Sequence, residues 1–107
     1  MNDVEYDELT DAVLLAVEEA FEQLDLDIDS ENHGGLVNVI FPDRSKIVIN
    51  KQAPLHQLWV ATKFNGHHFE WRDGQWIDNR TGTEFWQLLA DAASKQMMDL
   101  AFYNTFF

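Results

Sequence analysis

The chain of 107 residues contains no cysteine, which excludes disulfides, thiolate metal sites and cysteine nucleophiles. No apolar run approaches the roughly eighteen residues of a membrane span, so no membrane role is expected. The opening residues, Met1-Asn2-Asp3-Val4-Glu5, lack the basic start and apolar stretch of a secretory signal, and a cytoplasmic protein is expected. Cationic side chains are scarce as well. Seven Lys and Arg stand against nineteen Asp and Glu, a formal net charge of −12. A chain this acidic repels nucleic acid and attracts cations or basic proteins. Apolar residues, by contrast, make up 46% of the chain and aromatics 13%, which excludes a disordered polypeptide and suffices for one core. At this length a single domain over residues 1–107 is expected.

The charge is segregated. Residues 1–31 hold twelve of the nineteen carboxylates and no Lys or Arg, whereas residues 32–107 hold seven of each sign. In the first part Tyr6, Leu9, Val13, Val17, Ala20 and Leu24 recur at helical spacing, which predicts an amphipathic helix over 3–24. At about 100° per residue, Asp3, Asp7, Asp11, Glu18, Glu22 and Asp25 fall within an arc of roughly 100° on another face. The acidic run is therefore a ridge on an ordered helix.

Beyond it the period becomes two. Leu26 and Ile28 alternate with Asp27, Asp29 and Glu31, which reads as a strand with one acidic face. Asn32-His33-Gly34-Gly35 is a turn, followed by strands at Leu36–Phe41 and Lys46–Asn50, with Lys51–Pro54 as a loop. His56–Thr62 and His67–Trp71 flank an Asn65-Gly66 turn, and Asp73-Gly74 leads into Gln75–Asp78. A second helix is expected from about Thr83 to Met98, and the apolar ending Leu100–Phe107 is expected to pack back over the core. Short connections require antiparallel neighbours. The predicted fold is thus α+β, a two-layer sandwich with two helices on one face of an antiparallel sheet of about six strands.

Several familiar chemistries fail on spacing. Asp25-x-Asp27-x-Asp29 opens like a calcium-binding loop, but Ser30 stands where the turn glycine belongs and Leu36 where the bidentate Glu belongs. Asn79-Arg80-Thr81 matches a glycosylation sequon without a secretory context. His67 and His68 are adjacent, so in a strand they point to opposite faces and cannot clamp one metal. A hydrolytic carboxylate pair needs one carboxyl in an apolar pocket, whereas the ridge points into water.

Cation binding survives the same test. Oxygen-only ligands suit hard cations or iron in a labile, hydrated site, and other divalent or trivalent cations should substitute. Carboxylates one turn apart, such as Asp3/Asp7, Asp7/Asp11, Glu18/Glu22 and Glu19/Glu22, each oppose the helix by roughly 0.2–0.5 kcal/mol. A sequence selected only for solubility could have scattered them. The candidate metal ligands are Asp3, Asp7, Asp11, Glu18, Glu19, Glu22, Asp25, Asp27 and Asp29. Trp59 is the second anomaly. Leu58 and Val60 take the core side of their strand, leaving Gln57, Trp59 and Ala61 on a face that no third layer covers. Either local packing or a protein-binding hot spot accounts for it.

With these pieces in place the chain resembles the bacterial CyaY-like branch of the frataxin family. The resemblance rests on Ser45-Lys46-Ile47-Val48-Ile49-Asn50-Lys51-Gln52-Ala53-Pro54-Leu55-His56-Gln57-Leu58-Trp59-Val60-Ala61-Thr62-Lys63. It continues through His68-Phe69, Trp76-Ile77, Arg80-x-Gly82 and Phe85-Trp86-x-Leu88-Leu89. It implies an iron-binding accessory protein of iron–sulfur cluster assembly, holding Fe2+ or Fe3+ weakly through the acidic helix and first strand. It also implies that the cysteine desulfurase and the iron–sulfur scaffold protein are partners. Asn50, Gln57 and Trp59 match the family positions that face them. A protein that is monomeric at rest is expected, with metal-driven oligomers allowed. Without cysteine the chain is poorly suited to hold a cluster itself. Two other readings compete: an acidic decoy that engages a basic protein without metal, and an iron-oxidising enzyme. The second is not favoured, because no Glu-x-x-His pair of the ferritin type occurs.

Overall fold

The computed structural model describes residues 1–24 and 26–106, and their side chains as far as Met98. The order is α1 (Asp3–Glu22), β1 (Asp29–Asn32), β2 (Leu36–Ile40), β3 (Lys46–Gln52), a 3-10 turn (Ala53–Leu55), β4 (Gln57–Ala61), β5 (Gly66–Arg72), β6 (Gln75–Asp78) and α2 (Phe85–Phe106). The six strands form one antiparallel meander in sequence order, as the short connections require. Both helices cover one face, and the expected α+β sandwich is what is found.

Capping sets the start of each helix. Asn2 accepts the Glu5 N–H at 2.8 Å through its side chain, and Glu84 accepts from Trp86 and Gln87 N–H at 2.9 and 3.1 Å. α2 therefore begins at Phe85 rather than Thr83. It also runs on to Phe106, where a separate tail beyond Met98 was expected; the packing of that tail falls on side chains outside the described residues. On α1 the buried line is Tyr6, Thr10, Val13, Leu14, Val17 and Phe21. Leu14 and Phe21 take the places expected for Ala20 and Leu24, which are exposed.

These side chains meet Val37, Val39, Ile47, Ile49, Leu58, Val60, Phe69 and Trp76 from the sheet in one core with Phe85 and Leu89 of α2. Antiparallel partners share a face, so the register Leu36↔Asn50↔Trp59↔His68 lies on the opposite, helix-free side. Gln96 of α2 is buried and fastens the two loops at one end of the sheet, donating to Ser45 Oγ at 2.8 Å and accepting from Lys63 N–H at 3.3 Å.

Two local expectations change. β1 begins at Asp29, because the Ile28 N–H returns to the Leu26 carbonyl at 2.8 Å and folds Asp27 into a tight turn. The Asn65-Gly66 hairpin becomes a four-residue loop over 62–65. There Thr62 Oγ1 accepts from Phe64 and Asn65 N–H, and Gly66 is already in β5. Asp73-Gly74 does form the two-residue turn, with φ of 49° and 80° at the two positions.

Candidate functional site

The acidic face of α1 divides into two halves with different electrostatics. Asp3, Asp7 and Asp11 occupy its first turns and are exposed. They are not left to repel one another. Lys51 Nζ donates to Asp7 Oδ1 at 3.1 Å and to Asp11 Oδ1 at 3.0 Å, and His56 Nε2 donates to Asp3 Oδ1 at 2.7 Å. Burial disfavours the Lys51 ammonium, but Asp11 and Asp7 outweigh it and raise the group above the ordinary lysine value.

Lys51 comes from the end of β3 and His56 from the connection to β4. The expected strand end at Asn50 was two residues short. Extended by one period from Ile47 and Ile49, the strand carries Lys51 to the helix-facing side. That continuation was the available signal for Lys51. His56 adopts a left-handed conformation, φ 50°, at the exit of the 3-10 turn, where its ring stacks on Tyr6 with centroids 5.0 Å apart. Tyr6 is itself anchored, its hydroxyl donating to the Gln57 carbonyl at 2.7 Å.

The second half of the ridge is different. Glu19 and Glu22 are exposed and Glu18 is part-buried. Among the described residues no Lys, Arg or His pairs with any of the three. Glu18 accepts only from the neutral Asn32 amide, at 2.6 Å. Asp27 is exposed in the turn after the helix, and Asp25 lies outside the described residues. Asp29 does not join the helix ridge: its register with Ile40 puts it, and Glu31 with Asn38, on the helix-free side of the sheet. No group of three or more His, Asp or Glu is close enough to enclose a metal among the described residues. The acidic face of α1 is therefore an open row of carboxylates rather than a closed cage among the described residues.

The open sheet face carries the second candidate site. Asn50, Trp59 and His68 form one cross-strand row, and the Trp59 indole stacks on the exposed His68 ring, centroids 4.1 Å apart and 10° from parallel. Trp59 Nε1 donates to Gln57 Oε1 at 2.8 Å. Gln57 Nε2 in turn donates to Glu70 Oε1 at 3.2 Å, and Arg72 donates to Glu70 Oε2 at 2.6 Å. Asn50, Gln57 and Trp59 are all part-buried. A ring so held loses little freedom on binding, which suits a hot spot. His68 and Glu70 were missed in the sequence because their roles depend on cross-strand partners, not on chain neighbours.

One buried carboxylate belongs to neither surface. Asp78 is 1% exposed; its Oδ2 accepts from His67 Nδ1 at 2.7 Å and its Oδ1 from Arg80 N–H at 2.9 Å. Burial pushes its carboxyl up, but the hydrogen bonds from Arg80, His67 and Thr81 prevail and hold it below the ordinary Asp value. The His67–Asp78 pair joins β5 to the end of β6, and the Arg80 N–H bond ties in the turn that follows.

A family model described as the Frataxin-like domain matches residues 1–99. Two relatives named "Iron-sulfur cluster assembly protein CyaY" are similar over most of the chain. The one from Pseudoalteromonas atlantica is 58% identical over 96 residues, covering 90% of this chain and 89% of its own. The one from Colwellia psychrerythraea is 55% identical, covering 90% and 91%. Among solved structures, the frataxin of Psychromonas ingrahamii superposes with a TM-score of 0.84 at 43% identity, over 90% of this chain and 91% of that one. A trimeric frataxin from the yeast Saccharomyces cerevisiae, in a ferrous complex, gives 0.67 at 30% identity over 85% and 83%.

Proposed function

The chain belongs to the frataxin family, and on that premise we propose that it is an accessory protein of iron–sulfur cluster assembly that carries labile iron and modulates the cysteine desulfurase–scaffold complex. Iron is cargo in this reading, held by oxygen ligands of α1 rather than by a resident cage. The observation that carries it is the row Glu18, Glu19 and Glu22, three carboxylates within five residues that no cation among the described residues neutralises. Hard cations favour such ligands and exchange readily from them. The names of the relatives support the pathway, and the preorganised Trp59 supports a protein partner on the sheet face. The protein supplies binding and positioning and performs no defined reaction of its own, and its place of action is the cytoplasm.

Anaerobic titration with ferrous iron tests this. Saturable binding should weaken in the Glu18→Gln, Glu19→Gln, Glu22→Gln variant. Capture of the desulfurase–scaffold complex should depend on Trp59. An acidic decoy gives the opposite pattern: partner capture that a chelator leaves untouched, with no saturable ferrous binding.

A further inference from the structure

We propose that Lys51 is a tethered counter-cation that closes the Asp7–Asp11 pair to metal and so directs cation binding on α1 to Glu18, Glu19 and Glu22. This rests on the metal-ridge reading above and assigns its regulation to a residue of β3. Asp7 and Asp11 are one helical turn apart, where a bridging cation would sit. The Lys51 ammonium already holds that place, 3.1 Å from one carboxylate and 3.0 Å from the other.

The tether is built from three sides. The Lys51 N–H donates to the Gly35 carbonyl at 3.0 Å. Gly35, at φ +92°, lies against the stem: a Cβ built there would stand 3.4 Å from Lys51 Cδ, an ordinary packing contact. The ammonium stands 5.6 Å from the centroid of the Tyr6 ring, a favourable position for a cation. The side chain of Lys51 is 17% exposed, against 61% for Asp7 and 69% for Asp11. The cation is thus fixed in the protein and presented to the ridge, with little side-chain freedom left to lose on pairing.

A metal ion that takes Asp7 and Asp11 must first free them from Lys51. Its apparent affinity is the intrinsic affinity reduced by the fraction of molecules in which the pair stands open. Among the described residues no such competitor faces Glu18, whose partner is the neutral Asn32 amide. One helix face therefore offers a closed and an open set of oxygen ligands.

Mn2+ is the probe, since it prefers oxygen ligands and broadens amide resonances near where it binds. In the native protein, amides of residues 17–23 should broaden before those of 4–12. In Lys51→Met the 4–12 region should join them, with its apparent affinity raised about two- to fivefold, the scale of a held surface ion pair. Lys46→Met removes the same charge from the opposite sheet face and should leave the order unchanged. Asp7→Asn with Asp11→Asn in the native background should leave Mn2+ affinity as it was, because those groups are already occupied; this variant decides the matter if Lys51→Met does not fold. Equal early broadening of both regions in the native protein, or weaker Mn2+ binding in the double Asn variant, overturns the role of Lys51 while keeping the metal ridge. Absence of broadening along α1 in every variant removes the ridge reading, and Lys51 with it.

Discussion

The two halves of the α1 acidic face carry three carboxylates each, Asp in one and Glu in the other, in opposite circumstances. At Asp3, Asp7 and Asp11 the core places His56 and Lys51 within hydrogen-bond reach, so the carboxylates act as structural partners that tie the helix to the β3–β4 connection. At Glu18, Glu19 and Glu22 no cation among the described residues arrives, so mutual repulsion persists in the folded state. Charge density alone therefore does not define a binding surface. What defines it is charge that the fold leaves uncompensated.

The largest expected effect tests whether binding stops at the helix. Trp59→Ala should weaken binding to the desulfurase–scaffold complex by at least about 2 kcal/mol, some thirtyfold, as truncated hot-spot aromatics do. Its folding cost should be near 1 kcal/mol, the worth of an aromatic stack, because Trp59 faces away from the core and rests on His68. Calorimetric titration alongside thermal melting separates the two numbers. Undiminished affinity in a folded variant would leave only the helix as a partner surface.

Next in size is Asp78, the buried counterpart of the ridge. Asp78→Asn should lose about 1–3 kcal/mol at pH 7, the cost of a buried polar group deprived of its partner. The sign of the pH dependence follows from the depressed carboxyl. The unfolded chain binds the proton more tightly, near the ordinary Asp value of about 3.9. The stabilisation is therefore present above that pH and is lost as pH falls through the lower folded value. Melting curves of the two proteins should converge on acidification from pH 7 to pH 3.

The helical period, the meander and the open-face Trp59 were legible in the sequence, because each follows from local alternation and short turns. The pairing of Lys51 with Asp7 and Asp11 was not, since it joins residues 44 and 40 positions apart and the strand that delivers it had been ended at Asn50. Asp29 was legible only in part, for a related reason. The alternation from Leu26 was real, but a tight turn at Asp27 delayed the strand, and only the register with Ile40 fixes which face Asp29 takes. Face assignments at a sheet edge depend on the neighbour, which composition does not name.

A smaller effect bears on the open half of the ridge. Glu18→Gln, Glu19→Gln and Glu22→Gln together should raise stability by roughly 0.5–1.5 kcal/mol through removal of the Glu18/Glu22 and Glu19/Glu22 repulsions and the neighbouring charge. The Asn32 contact survives, because Gln keeps an acceptor oxygen for it. Millimolar Mn2+ should raise the melting temperature of the native protein beyond the effect of matched ionic strength, by ordinary linkage. In the triple variant that increment should largely vanish. An equal increment in both proteins places the cation elsewhere.

The smallest effect is the sharpest test of the comparison. Asp7→Asn with Asp11→Asn removes the same kind of charge from the same helix face, yet the sign should reverse. Two ion pairs to Lys51 are lost, each worth about 0.2–1 kcal/mol because the carboxylates are largely exposed. Relief of the Asp7/Asp11 repulsion returns roughly 0.2–0.5 kcal/mol. The balance is a net destabilisation of under about 2 kcal/mol, against a gain for the triple Gln variant. Salt should shrink both effects, since screening reaches about 3 Å at 1 M, and the two curves should approach the native one from opposite sides. Stabilisation by both sets of substitutions would mean that Lys51 does not compensate Asp7 and Asp11 in solution, and the two halves of the ridge would then be one surface.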